Sequence, residues 1–319
     1  IVELIAAGYT PVIVDNLCNT STMNIDGIEK IIDTKVKWHN VDCTDKDAMD
    51  KVFTEHGKIE GIIHFAAYKA VEESVQNPQK YYDNNMGSLE VVLKCMQEND
   101  VKNIIFSSSC TVYGMPDVLP VDENAPFKEA ESPYGETKQI CEGMLKADTC
   151  NSVALRYFNP IGSHPSALIG DCSADRPSNL VPIITEVAIG KRKQITIFGE
   201  DYNTPDGTCI RDYIHVEDLA RAHTLALKYL INGGESIQCN LGTGVGVSIL
   251  ELINIVRDVT GVNIHVNYGE RRPGDPAHLV ASSQMAKDIL GWEAEHKDIR
   301  YMVDTAWKWV MHCNKTLNS

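Results

Sequence analysis

Short apolar runs punctuate the first half of the chain, and each ends on polar or small residues. TPVIVDN (10–16) closes on Asp15 and Asn16, and VKWHNVDCTD (36–45) runs into an acidic turn. IEGIIHFAA (59–67) and VKNIIFSSS (101–109) finish on alanines and serines, and VALRYFN (153–159) follows. Runs this short, bounded by turn residues, predict buried strands. Longer helical stretches separate them, notably 74–99 and 133–148. Strands alternating with helices predict an α/β fold with a doubly wound, Rossmann-type parallel sheet. Ligands of such sheets sit at the carboxyl ends of the strands. The residues there are Asp15, Asp42, Ala66, Ser107 to Ser109, Phe158 and Asn159.

From about residue 161 the pattern changes. HPSALIGDCSADRPSNL and EDYNTPDGTCIRDY are long irregular segments, the kind that carry substrate contacts. The expected organisation is a dinucleotide-binding domain over 1–160 and a smaller substrate-binding domain over 161–319. The opening IVELIAAGYTPVIVDN reads as the tail of a helix, with Gly8 as its stop, followed by a strand. No G-x-x-G-x-x-G occurs, so the expectation is a fragment that starts after the first strand and glycine loop of such a fold.

Composition narrows the function. A net charge of −15 with no basic run excludes nucleic acid and anionic membranes as partners. The 10 cysteines include no C-x-x-C, which suits free thiols in a reducing cytoplasm. The 10 histidines include no H-E-x-x-H, and no metal is expected. No apolar run is long enough to span a bilayer, and the start lacks the basic region of a signal peptide.

The strongest chemical signal is SPYGETKQ (132–139). Ser132 suits a helix cap and Pro133 the first helical position, so Tyr134 and Lys138 fall on one helical face. A free tyrosine titrates near pH ~10, and a neighbouring ammonium favours its phenolate. The pair can therefore serve as a base near neutrality. SSSCTVYG (107–114) places hydroxyls at a strand end just before it. Asp15, ending the first apolar run, can accept hydrogen bonds from both hydroxyls of an adenosine ribose and would repel a 2′-phosphate, favouring NAD over NADP. Asp42 can accept from an adenine amino group, and Ala66 and Ala67 are small where backbone must approach a cofactor.

These residues resemble the extended short-chain dehydrogenase/reductase superfamily and, more narrowly, its UDP-galactose 4-epimerase family. The likeness extends through VDNLCN (14–19), HFAAYKAVEESVQNP (64–78), YYDNN (81–85), LRYFNPIGSHPS (155–166), DGTCIRDYIHVEDLA (206–220) and ERRPGD (270–275). It implies that Asp15, Asn16, Leu17, Cys18, Asn19, Thr20, Asp42 and Cys43 line NAD. It implies the same for Phe65, Ala66, Ala67, Tyr68, Lys69, Asn84 and Phe158. Ser109, Tyr134 and Lys138 would form the catalytic group, Ser109 and Tyr134 touching both cofactor and sugar and Lys138 the cofactor. Asn159, Asn179, Leu180, Thr196, Ile197 and Phe198 would contact a UDP-hexose, and Arg211 and Arg272 would grip its diphosphate. Leu279, four positions after Asp275, would face the sugar's 2-substituent, leaving room for an N-acetyl group. A homodimer through 84–99 and 133–148 is the family expectation.

The chain departs from the family pattern in lacking the glycine loop and in carrying Cys110 and Cys209 where Ala and Gly are expected. Related 4,6-dehydratases place an Asp-Glu pair where this chain has Cys110 and Thr111, and decarboxylases place a Glu at the second of those positions. A thiol and a hydroxyl cannot replace that acid/base pair, so elimination is disfavoured. A non-catalytic dinucleotide-binding regulator is the alternative from another class.

Overall fold

The computed structural model describes residues 1–172, 177, 179–272 and 275–317. In chain order the first half holds α1 (Val2–Ala6), β1 (Val12–Asp15), α2 (Met23–Ile32), β2 (Lys37–Asn40), α3 (Lys46–His56), β3 (Ile62–His64), α4 (Val71–Gln76), α5 (Pro78–Tyr81) and α6 (Gly87–Glu98). There follow β4 (Asn103–Ser109), α7 (Pro133–Ala147), β5 (Asn151–Tyr157), β6 (Asn159–Ile161), α8 (Leu180–Ala188), β7 (Ile195–Phe198), β8 (Ile210–His215) and α9 (Val216–Ile231). The remainder is β9 (Ile237–Leu241), β10 (Gly246–Ser248), α10 (Ile249–Thr260), β11 (Val266–Gly269), β12 (His278–Leu279), α11 (Gln284–Leu290) and α12 (Ile299–Leu317).

Every apolar run of the first half forms a strand, trimmed at its ends by turn chemistry. β2 stops at Asn40 because Asp42 Oδ1 accepts from Thr44 N (2.8 Å) and Thr44 Oγ1 (2.6 Å), turning the chain toward α3. Asp45 then caps α3 through Ala48 N. The continuous helix expected over 74–99 is broken. Asn77 is non-helical before Pro78, which starts α5, and a π-helical turn at Tyr82–Met86 leads into α6. Pro78 lacks an N–H and pushes its predecessor out of the helical region, so one helix cannot run through it.

As expected of a Rossmann-type fold, the strands of the first half pair in parallel, β1 with β2 and β3–β4–β5 with β9. In the larger sheet, alternate residues serve opposite faces. Ile104, Phe106 and Ala154 pack with Met49, Phe53, Leu89, Val92, Met96 and Leu145 of α3, α6 and α7. Ile105, Val153 and Leu155 pack with Leu219, Ala222 and Leu227 of α9, and with Trp292. Helices on both faces are why these strands read as continuous apolar runs.

The boundary expected at 160/161 does not follow this packing. β9 pairs in parallel with β5, Val153 opposite Ile237, and α9 covers β4 and β5. Residues 216–241 thus complete the first sheet. A second core joins α8, α10 and α12 around β7 and β8, with Ile184, Ile197, Tyr213, Leu252, Ile253 and Val303 buried. At its edge the buried Asp212 carboxylate accepts from Thr243 N (2.8 Å), Thr243 Oγ1 (2.7 Å), Gly244 N (3.0 Å) and Ala281 N (3.1 Å). A Cβ at Gly242 would lie 2.4 Å from Asp212 Oδ2, so only glycine lets the backbone pass there. Among the described residues no helix is long and apolar enough to cross a membrane.

Candidate active site

The carboxyl ends of the parallel strands open onto a cavity of about 1790 Å³. It gathers the first-half candidates: Asp15 to Thr20, Asp42, Cys43, Phe65 to Lys69, Asn84, Ser109, Tyr134, Lys138 and Phe158. Asn159, Asn179 and Leu180 line it too. Many of them sit at a strand end or the start of a helix, while Asn84 lies in the π-helical turn.

At the end of β1, Asp15 Oδ1 accepts from Leu17 N (2.8 Å), and Leu17 takes a left-handed φ of 52°. Such a φ is uncommon outside glycine and here turns the chain tightly over the cavity. Asn16 Nδ2 donates to Asp42 Oδ2 (2.8 Å), locking the ends of the two strands together. Burial works against the Asp42 charge, but hydrogen bonds from Thr44 and Asn16 outweigh it and hold the carboxyl below its ordinary value.

Helix α7 begins as its sequence dictates. Ser132 Oγ accepts from Gly135 N (3.2 Å) and Pro133 takes the first position. Lys138 is 3% exposed and donates to Ser107 O (2.7 Å), its Nζ lying 5.8 Å from the Tyr134 ring centroid and 4.8 Å from that of Phe106. Burial pushes the ammonium down to about 8, with Cys141 and Glu142 opposing. Burial also pushes the Tyr134 phenol up, Tyr157 adding to the rise and a hydrogen bond with Ser109 countering it. This modifies the expectation that Lys138 sets the ionisation of Tyr134. Among the described residues no hydrogen bond joins Nζ to the phenol, and loss of water dominates both groups. Ser109 Oγ also caps the short 3-10 turn Cys110–Tyr113 by accepting from Thr111 N (3.3 Å).

The remaining candidates lie together outside the cavity lining. Arg211 donates to Ile210 O and Pro276 O (2.8 Å each) and pairs with Asp275. Its charge still reaches Cys110, where burial raises the thiol to about 11 and Arg211 opposes the rise. The Arg272 guanidinium lies 4.0 Å over the Phe198 ring. Thr196 is half-buried, and Ile197 turns into the second core. Leu279 is 9% exposed and packs with Val112, Tyr113 and Phe158 beside the cavity wall. Pro273 and Gly274 of the RRPGD motif lie outside the described residues.

Sequence reasoning missed several residues here. Thr111 lines the cavity and its buried Oγ1 has no partner. His64, ending β3, is buried and held down to about 3 by burial and by Lys138, so it is neutral. His223 lines the cavity too, its ring 4.6 Å from that of the expected Phe65. Glu142, four residues beyond Lys138 on α7, carried a spacing signal that could have found it.

The donor set fits a dinucleotide. Two carboxylates, Asp15 and Asp42, and the small Ala66 and Ala67 line the cavity, and Lys138 keeps two N–H protons beyond the one given to Ser107. Thr111 adds a hydroxyl awaiting a partner.

Residues 1–242 match the model of the NAD dependent epimerase/dehydratase family. The chain is 46% identical over 316 residues to the UDP-glucose 4-epimerase of Dictyostelium discoideum, covering 97% of this chain and 91% of that protein. A UDP-glucose 4-epimerase from Stenotrophomonas maltophila, solved with NAD and formylated UDP-arabinopyranose, superposes with a TM-score of 0.94 at 42% identity, over 99% of this chain and 94% of that one. The enzyme from Bifidobacterium longum with NAD+ and UDP gives 0.92 at 42% identity, over 98% and 93%. The chain belongs to the NAD dependent epimerase/dehydratase family.

Proposed function

We propose that the protein interconverts UDP-galactose and UDP-glucose by inverting C4 of the hexose with NAD as cofactor. The observation that carries this is the convergence of Ser109, Tyr134 and Lys138 on one strand-end cavity, with no carboxylate at Cys110 or Thr111. Bound NAD supplies the acceptor, and then the donor, of the C4 hydride. Tyr134, as phenolate, takes the proton of the 4-hydroxyl, and Ser109 donates a hydrogen bond to the same oxygen as it becomes a ketone. Lys138 offers its spare N–H groups to the cofactor ribose, and its ammonium, 5.8 Å from the Tyr134 ring centroid, offsets part of the burial that opposes the phenolate. The 4-keto sugar turns about its link to UDP, and the proton on Tyr134 returns to O4 of the epimer, so the step closes with no net oxidation.

On this reading Asp15 to Thr20, Asp42, Cys43, Phe65 to Lys69, Asn84 and Phe158 hold NAD. Asn159, Asn179, Leu180 and the 196–198 strand hold the sugar nucleotide, with Arg211 and Arg272 on its diphosphate. Arg211 is already ion-paired, so it reaches a diphosphate by exchanging Asp275 for phosphate oxygens. Leu279 borders the sugar pocket and leaves space for a 2-acetamido group, extending the range to UDP-GalNAc and UDP-GlcNAc. The reading includes a cytoplasmic homodimer joined through α6 and α7, and the 10 free cysteines suit that compartment.

The test is purified protein supplied with NAD and UDP-galactose, with UDP-glucose read by a coupled dehydrogenase. Steady formation of UDP-glucose supports the reading. NAD binding without any C4 inversion would support the regulator instead, and release of a 4-keto-6-deoxy sugar would support a dehydratase.

A further inference from the structure

Two imidazole–carboxylate clusters occur among the described residues. In one, both ring nitrogens of His215 are engaged: Nδ1 accepts from Glu217 N (3.2 Å) and Nε2 lies 3.0 Å from Thr305 Oγ1. Those contacts tie α9 to α12 and leave no lone pair over. The other cluster is different.

His39 sits on β2, opposite Val14 of β1, and His56 closes the last turn of α3. Their Nε2 atoms are 2.7 Å apart, with the rings edge to face at 80° and their centroids 5.0 Å apart. Glu55 precedes His56, and its carboxylate oxygen and the two imidazole nitrogens all lie within 4.8 Å of one another. Both imidazoles are half-buried, while Glu55 is exposed. As a hydrogen bond, the contact uses one N–H and one lone pair and leaves the carboxylate unused. With both imidazoles protonated on Nδ1, two lone pairs and a carboxylate lie close enough for one ion to gather them.

Tetrahedral zinc with Zn–N of about 2.0–2.1 Å separates two imidazole nitrogens by about 3.3 Å. The observed pair needs to open by only roughly half an ångström to reach it. Two imidazoles and one carboxylate suit zinc, cobalt and nickel, whereas magnesium and calcium demand more oxygen ligands. Three protein ligands leave a position for water. No spacing motif signals the site, because His39 and His56 are 17 residues apart and meet only through the β2–α3 fold.

We propose that His39, Glu55 and His56 bind one divalent transition-metal ion of zinc's class, clasping β2 to the C-terminal turn of α3. The ion would act as a structural clip, taking no part in the proton transfer at Tyr134, although His56 also lines the cavity.

The test uses tag-free full chain, stripped with EDTA and titrated with Co²⁺, then with Zn²⁺ as competitor. The expected result is one site per chain, with ligand-field absorption and no thiolate charge-transfer band, displaced by Zn²⁺ and indifferent to Mg²⁺. His39→Ala and His56→Ala should each weaken binding by more than about tenfold, a loss that even an outer partner of a metal site can cause. Glu55→Gln, at an exposed position that does not threaten folding, should weaken it in the same direction. His296→Ala should leave it unchanged. Absence of saturable binding, a thiolate band, or binding that survives all three substitutions would overturn the proposal. So would binding lost only in His296→Ala.

Discussion

Glu142 and Arg156 form a bidentate ion pair beneath α7. Nε donates to Oε1 at 2.9 Å and Nη2 to Oε2 at 2.6 Å, with both side chains 6% exposed. Ser108 Oγ donates to the same carboxylate (2.5 Å), and Arg156 Nη1 reaches Tyr113 Oη (2.9 Å). The pair pins α7, which carries Tyr134 and Lys138, to β4 and β5, which end at Ser109 and Tyr157. Glu142→Leu should cost about 3–5 kcal/mol, because a buried guanidinium is left uncompensated. Adding Arg156→Met should recover part of that loss. Urea unfolding of the two variants checks this, and a double variant less stable than the single would count against it.

Tyr134→Phe should lower turnover of UDP-galactose by ~10² or more, since only the proton acceptor is lost. NAD binding, measured by cofactor fluorescence or retained nucleotide, should stay near normal. Near-normal turnover would remove Tyr134 from the mechanism.

Lys138 gives a pH dependence with a definite sign. Its ammonium is held at about 8 in the folded protein, below the ~10.4 of a free lysine. Between those values the unfolded chain binds the extra proton, so stability rises with pH there. Below pH 8 the cofactor-free protein carries the full penalty of burying the charge. Lys138→Met should therefore stabilise it at pH 7 by on the order of 3 kcal/mol, while abolishing turnover. The gain should shrink on titrating to pH 10, and a constant difference across that range would show that burial of the charge is not its source.

Asp212→Ala removes the acceptor of four hydrogen bonds at a fully buried site. The N–H groups of Thr243, Gly244 and Ala281 lose their partner together. The expected cost is at least about 3 kcal/mol in denaturant unfolding. Because Ala281 and Leu279 share one segment, KM for the sugar nucleotide should rise as well.

Leu279→Tyr bears on substrate range. The wild type should turn over UDP-GalNAc as well as UDP-galactose, and the tyrosine variant should lose the acetylated substrate while keeping the other. Parallel assays on the two substrates decide it. Wild type that never accepts UDP-GalNAc would show that neighbouring walls, rather than Leu279, close the pocket.

Much of the candidate site was legible because parallel strands covered on both faces leave uninterrupted apolar runs, and cavity-lining residues sit where those runs end. Asp15, Asp42, Ser109 and Phe158 were found that way. Tyr134 and Lys138 were found from the cap at Ser132 and the helical repeat. The break at Asn77–Pro78 was also written in the chain, in the proline itself, and a long helix was expected in spite of it. The pairing of β9 with β5 was not legible. Local periodicity says that a strand exists and nothing about which distant strand it joins. The same holds for Arg211, whose Asp275 partner lies 64 residues away, and for Asp212, whose acceptor role depends on backbone from two later segments.

The return of β9 to the first sheet has a consequence for synthesis on the ribosome. Ser152 N, at the start of β5, bonds to Ser236 Oγ, 84 residues later in the chain. Until that stretch emerges, the face of β4 and β5 that ends up under α9 has no cover. At ~5–20 residues per second the wait is roughly 4–17 seconds. For that interval the nascent chain offers an apolar strand edge and face to any chaperone or neighbouring chain. Cellular yield of this protein should thus depend on translation speed between residues 158 and 241, a stretch that includes the cavity residues Asn159, Asn179 and Leu180.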